Sequence, residues 1–152
     1  MNQKYKGLLS LCKKVITAEG ERDDLLSAVC FLLNGEVEHY NWVGIYIADE
    51  RKKIMHLGSY AGEPTEHVKI PYGKGICGQV AESKETFVAK DVGQQSNYLA
   101  CSSKVKSEIV IPIMKGKKFA AQLDIDSHRM DAFSDDDREF LEALSAELAI
   151  LF

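Results

Sequence analysis

No uncharged apolar segment of this sequence approaches the ~18 residues that a membrane-spanning helix requires, and the chain does not open with a basic stretch followed by an apolar run. We therefore expect a soluble, cytoplasmic protein without a membrane partner. A basic surplus is missing too: 19 lysines and arginines stand against 23 aspartates and glutamates, a formal net charge of −4 with the two signs mixed along the chain. That balance leaves no electrostatic footprint for nucleic acid, and a small or neutral ligand is the better expectation. The four cysteines, Cys12, Cys30, Cys77 and Cys101, include none of the close pairs of a zinc site. A chain of 152 residues buries a core without covalent staples, so the thiols are expected to be reduced, with any disulfide transient and functional. Neither a resident metal nor a cofactor is expected. Internal repeats, low-complexity tracts and linkers are also absent, which points to one domain over residues 1–152.

What is present is a set of clear periodicities. Residues 5–18 and 23–37 each carry apolar side chains at helical spacing and are separated by Gly20, which predicts two amphipathic helices. Cys12 and Cys30 fall inside those apolar stripes, where a free cysteine behaves as a small hydrophobe. From Asn41 the period shortens to two. Trp42, Gly44 and Tyr46 share one face of a strand, and Val43, Ile45 and Ile47 share the other. Residues 53–60 read as the returning strand and residues 86–92 as another, followed by a long polar loop over 93–107. A last helix begins at Ser134, an N-cap followed by Asp135, Asp136 and Asp137, with Phe140, Leu141, Leu144, Leu148 and Leu151 at helical spacing. The acidic run suits the positive end of a helix and is read as capping, not as a metal site.

Residues 98–126 concentrate the chemistry. Glu108, Val110 and Pro112 fall on one face of a strand whose other face is Ile109, Ile111 and Ile113. After a polar turn containing Gly116, the partner strand turns Asp124 and Asp126 one way and Leu123 and Ile125 the other. The sheet thus acquires an aliphatic side for helices to cover, and an aromatic and acidic side that lines a pocket. Cys101 sits in the loop before this hairpin, with Lys104 and Lys106 close by in sequence to favour a thiolate. Upstream, GKGICG (residues 73–78) reads as a tight loop opening a short helix; it matches neither nucleotide-binding fingerprint. Cys77 lies at that helix start, where the dipole would favour its thiolate.

The strings NWVGIY, IPYGKGICGQVA, ACSSKVKSEIVIPI and LDIDS, in this order and near these separations, resemble the free methionine-R-sulfoxide reductase family of GAF domains. The resemblance implies an α+β fold of GAF or PAS kind, an antiparallel sheet with two N-terminal helices and one C-terminal helix packed on one face. It implies that Cys101 attacks the sulfoxide sulfur of free methionine sulfoxide and becomes a sulfenic acid. Cys77 would then form a disulfide with it, reduced in turn by a thioredoxin-like partner. Glu108, Asp124 and Asp126 would bind the substrate amino group and the sulfoxide oxygen, and Trp42 with Tyr46 would house the methyl end. Two departures stand out. The position of a further family cysteine is His67 here, which leaves Cys77 or an external thiol to resolve the sulfenic acid. The nucleophile's neighbours are Asn97, Tyr98, Leu99 and Ala100 before it and Ser102 after it, where the family usually has Gly-His-Ile-Ala before the cysteine and Asp after it; losing the Gly and the Asp bears on how the loop closes and how the substrate carboxylate is held.

The residue types suit that chemistry. A sulfoxide oxygen leaves only when protonated, so a neutral carboxylic acid must stand beside it, and neighbouring carboxylates raise one another's pKa by repulsion. An aromatic wall suits the partial positive charge that develops around sulfur. Two other readings compete: a GAF sensor binding a small amine or amino acid without turnover, and an interaction domain whose helices over 5–37 and 134–152 pair as a homodimer. A metal site of His67, Cys77 and Cys101 has no recognised ligand spacing behind it.

Overall fold

Asn2 stops the chain from fraying at its start: its side chain accepts a hydrogen bond from the Tyr5 N–H at 2.8 Å and caps helix α1, Gln3–Ile16. Helix α2, Arg22–Glu36, carries Asp23 and Asp24 in its first turn, where the helix dipole favours them. The structure is a computed structural model and describes residues 1–96, 98 and 103–152. Both helices turn their apolar stripes inward, Tyr5, Leu8, Cys12 and Ile16 from α1 and Leu26, Val29, Cys30 and Leu33 from α2. Burial pushes the Cys12 and Cys30 thiols up to about 11 and about 12, which keeps both protonated and inert, as expected of core cysteines.

The strands are β1 (Trp42–Asp49), β2 (Ile54–Ala61), β3 (Lys69–Pro71), β4 (Phe87–Ala89), β5 (Ser107–Lys115) and β6 (Lys118–Ser127). They form one antiparallel sheet in the order β3-β2-β1-β6-β5-β4. Helix α3, Gly75–Ser83, lies between β3 and β4 in sequence, and α4, Asp135–Leu148, closes the chain with a 3₁₀ turn at Ala149–Leu151. The expected division of the sheet holds. Val43, Ile45, Ile109, Ile111, Ile113, Leu123 and Ile125 pack with α1, α2 and α4 in one core. Trp42, Tyr46, Val110 and Phe119 join Ile76, Val80 and Ala81 of α3 in a second cluster on the opposite face. The chain is therefore α+β with three helices on one side of the sheet, while α3 and its flanking loops roof the other.

One expected strand is shorter than its sequence suggests. Of residues 86–92 only Phe87–Ala89 pair with β5, because the Asp91 side chain then accepts from the Gly93 N–H at 2.9 Å and turns the chain into the 3₁₀ segment Val92–Gln94.

The acidic run at the start of α4 does more than cap. Ser134 and Asp137 form a reciprocal capping box, as the sequence suggests. Asp137 is also buried, and Tyr5 of α1, Tyr40 (2.7 Å) and His39 (2.8 Å) all donate to its Oδ1 while the Ser134 N–H and hydroxyl donate to its Oδ2 at 2.8 and 2.7 Å. Burial by itself would raise this carboxyl's pKa, but the bonds from His39, Tyr5, Ser134 and Tyr40 outweigh it and hold Asp137 well below the usual carboxylate range. This one group ties α1, the α2–β1 connection and α4 together. Because its folded pKa is depressed, its stabilisation is present above the unfolded Asp value of about 4 and is lost as pH falls toward the folded value. Replacing Asp137 with Ala should cost roughly 3 kcal/mol at neutral pH, since it leaves buried hydroxyls unpaired. Asp137→Asn should also flatten the acid limb of the melting temperature measured against pH; an unchanged acid limb would assign acid lability elsewhere.

Candidate active site

Strand register decides which side chains meet on the acidic face. Trp42, Asp126 and Glu108 stand in one row across β1, β6 and β5; Gly44, Asp124 and Val110 form the next, and Tyr46, Gln122 and Pro112 the third. Alternation places all nine on the same face. Glu108, Asp124 and Asp126 are each 4% exposed or less, so three carboxyls share a volume sealed from water. Cys77, the third residue of α3, comes down onto them, its Sγ 3.3 Å from Asp124 Oδ2.

Such crowding sets the protonation. Burial, then the charges of Asp124 and Asp126, push Glu108 well above the ordinary carboxyl range. Burial and then Asp124 do the same to Asp126. Asp124 is also raised by burial, but hydrogen bonds from Glu108 and Cys77 work against the rise, so the negative charge of the group is best accommodated there. For Cys77 the sequence expectation is reversed. Burial first, then the charges of Asp124 and Glu108, lift the thiol well above its usual value. Cys77 is a thiol that donates to Asp124, not a resting thiolate.

The aromatic wall is placed by its polar ends. Trp42 Nε1 donates to the Glu63 carbonyl at 2.9 Å, and the Tyr46 hydroxyl donates to the His67 carbonyl at 2.8 Å. Both bonds fasten the connection between β2 and β3 over the acidic face. Trp42 also stacks on Tyr60 at 5.8 Å between ring centroids. Its indole lies across position 44, where a Cβ would come within 2.2 Å of the ring, so the glycine in this strand is what gives the tryptophan its seat.

Trp42 and Tyr46 border two different cavities. One, of about 10 Å³, lies among Tyr46, His67, Cys77, Glu108 and Asp124. The other, of about 30 Å³, lies among Trp42, Glu63, Val105, Asp126 and His128. The first turn of α3 borders the former, so its positive end faces the carboxyls as well as the thiol. A larger open groove of about 600 Å³ is lined by Lys84, Pro112, Arg138 and Glu142 among others, and by none of Glu108, Asp124 and Asp126.

Of the residues named from sequence, Trp42, Tyr46, Cys77, Glu108, Asp124 and Asp126 are brought together. Cys101 lies outside the described residues. Lys104, expected beside it, pairs with Glu63 at 3.1 Å. Sequence reasoning passed over Gln122, which is fully buried on the same face with neither amide atom paired among the described residues. Its position two residues before Asp124 on an alternating strand was the available signal.

A GAF domain model matches residues 21–152. The free methionine-R-sulfoxide reductase of Saccharomyces cerevisiae is 33% identical over 143 residues, covering 86% of this chain and 79% of that protein. The structure of fRMsr of Staphylococcus aureus in its reduced form superposes with a TM-score of 0.89 at 37% identity, over 97% of this chain and 94% of that one. That of free methionine-R-sulfoxide reductase from Neisseria meningitidis in complex with its substrate gives a TM-score of 0.92 at 28% identity, over 100% of this chain and 91% of that one. The fold and these relatives place the chain in the GAF-domain family, within its free methionine-R-sulfoxide reductase branch.

A pH dependence follows from the raised carboxyls. Groups whose folded pKa lies above the unfolded value contribute stability that is complete below the unfolded carboxyl range, about 4, and is lost as pH rises through the folded values. The melting temperature of the ligand-free protein should therefore fall as pH is raised from about 5 to 9, and Glu108→Gln should raise it at the alkaline end and shallow the slope. A slope unaffected by Glu108→Gln would mean that the triad does not set alkaline stability.

Proposed function

We propose that this protein reduces free L-methionine-R-sulfoxide to methionine, with Cys101 as nucleophile and the carboxyl cluster as the source of the proton. The observation that carries the reading is the union of three buried carboxyls with a cysteine beside an aromatic wall, in a chain of this family. A buried group of acids needs a cation, and the substrate's ammonium supplies one at Glu108. Cys101 attacks the sulfoxide sulfur as its oxygen takes a proton from the Asp124 and Asp126 pair. The hydroxyl then passes from the substrate sulfur to Cys101 Sγ as the bond between the two sulfurs breaks, so methionine leaves with that electron pair and Cys101 gains the oxygen as a sulfenic acid.

Regeneration runs through Cys77. Its thiol proton passes to Asp124 Oδ2, already 3.3 Å away, and the resulting thiolate attacks the Cys101 sulfenic acid. The hydroxyl leaves as water and a Cys77–Cys101 disulfide forms; an external dithiol of thioredoxin kind supplies two electrons and two protons to restore both thiols. His67 borders the same cavity as Cys77 and offers no sulfur, so no other cysteine among the described residues stands at the acids. Trp42 and Tyr46 flank the sulfur end, where the aromatic faces favour developing positive charge.

Turnover of free L-methionine-R-sulfoxide with dithiothreitol should be abolished by Cys101→Ser. Cys77→Ser should keep dithiothreitol-driven turnover and lose most of the thioredoxin-driven rate. A peptide-bound sulfoxide has an amide in place of the ammonium, and roughly a hundredfold lower kcat/KM is expected for it from the unpaired buried carboxylate. Equal rates on free and peptide substrates would remove Glu108 from substrate recognition, and activity surviving in Cys101→Ser would remove the nucleophile.

A further inference from the structure

The space that the acids share with Cys77 has the composition of a metal site as well as of an amine pocket. Cys77 Sγ and one oxygen each of Glu108 and Asp124 all lie within 4.8 Å of one another. The three residues come from α3, β5 and β6, and all are buried, so their spacing is set by strand pairing and helix packing. The 3.3 Å between Sγ and Asp124 Oδ2 is close to the ~3.5 Å edge of a tetrahedron of sulfur and oxygen ligands around zinc. A second observation points the same way. Asp124 Oδ1 is buried with no donor at hydrogen-bonding geometry among the described residues, and Asp124 borders a cavity of about 10 Å³, space for one water or one ion.

We propose that Cys77, Glu108 and Asp124 bind one divalent cation of the zinc class, and that this cation occupies the site in place of a substrate ammonium. The donor set selects among metals. A thiolate with two carboxylates suits Zn²⁺ or Cd²⁺ and discriminates against Mg²⁺ and Ca²⁺, which take oxygen ligands in larger number. Three protein ligands leave one tetrahedral position open. The cation does no chemistry here. It replaces the thiol proton on Cys77, satisfies the orphaned Asp124 oxygen, and blocks the carboxyls that an amine would use. Only the identity of the competing amine rests on the function proposed above; metal binding itself does not require turnover.

The test is titration of the reduced, metal-stripped chain with Cd²⁺, read by cadmium–thiolate charge-transfer absorption, with Zn²⁺ then displacing Cd²⁺. One Cd²⁺ per chain is expected, with the band retained in Cys101→Ser and absent in Cys77→Ser. Glu108→Gln keeps the thiolate, so its band should remain while affinity falls roughly tenfold or more; this variant reads the site even if Cys77→Ser fails to fold. Mg²⁺ in excess should not displace Cd²⁺, and L-methionine should lower the apparent affinity. A band that survives Cys77→Ser in folded protein, that needs Cys101, or that keeps full affinity in Glu108→Gln would overturn the proposal. Cadmium binding at Cys77 that methionine leaves unchanged would uphold the metal site and count against the amine pocket.

Discussion

Three carboxyl groups held on one face of a sheet, out of contact with water, cannot all be ionised, and much of this structure answers that constraint. Glu108, Asp124 and Asp126 sit in adjacent rows of β5 and β6, where strand register leaves them no room to separate. The accommodations available are shared protons, donors such as the Cys77 thiol, and an incoming cation. In the function proposed above, the free cluster stores unfavourable electrostatics that a ligand's positive charge would relieve, which would convert a liability for folding into selectivity for a cationic ligand.

The two faces of the sheet handle buried charge in opposite ways. On the helical side a single carboxylate, Asp137, is surrounded by donors from Tyr5, His39, Tyr40 and Ser134, and its charge is held. On the site side three carboxyls have few donors among the described residues, and their pKa values rise instead of falling. Satisfaction of its oxygens marks the first group as structural, whereas the unpaired oxygens of the second, among the described residues, support its reading as a ligand site. Trp42 and Tyr46 belong with the second. Their ring faces wall the site while their polar ends hold the segment that covers it.

Alternation along the strands made the site face legible from sequence: the parity of Trp42, Tyr46, Glu108, Asp124 and Asp126 was enough to assign them to one side. The apolar stripes around Cys12 and Cys30 likewise announced core. Partners distant in sequence were not legible. Asp137 reads locally as a cap, because nothing near it announces Tyr5 or Tyr40. The environment of Cys77 was misjudged for the same reason: position at a helix start argues for a thiolate, whereas packing against Asp124 and Glu108 imposes a thiol. Residues 86–92 have strand composition, but the turn-forming Asp91 side chain ends the pairing early. Gln122 differs from Asp124 in lacking charge, so only its burial sets it apart from an ordinary strand glutamine.

The most direct test of the account is calorimetric titration of the reduced protein with L-methionine, which carries the ammonium but no sulfoxide, in two buffers of different ionisation enthalpy near neutral pH. If an ammonium displaces protons shared by Glu108, Asp124 and Asp126, the difference in heats should report release of roughly one proton per methionine bound, and the release should diminish in Glu108→Gln. Binding with no proton exchange would mean that the three acids are not a protonated cluster awaiting a cation, and would contradict the account at its centre.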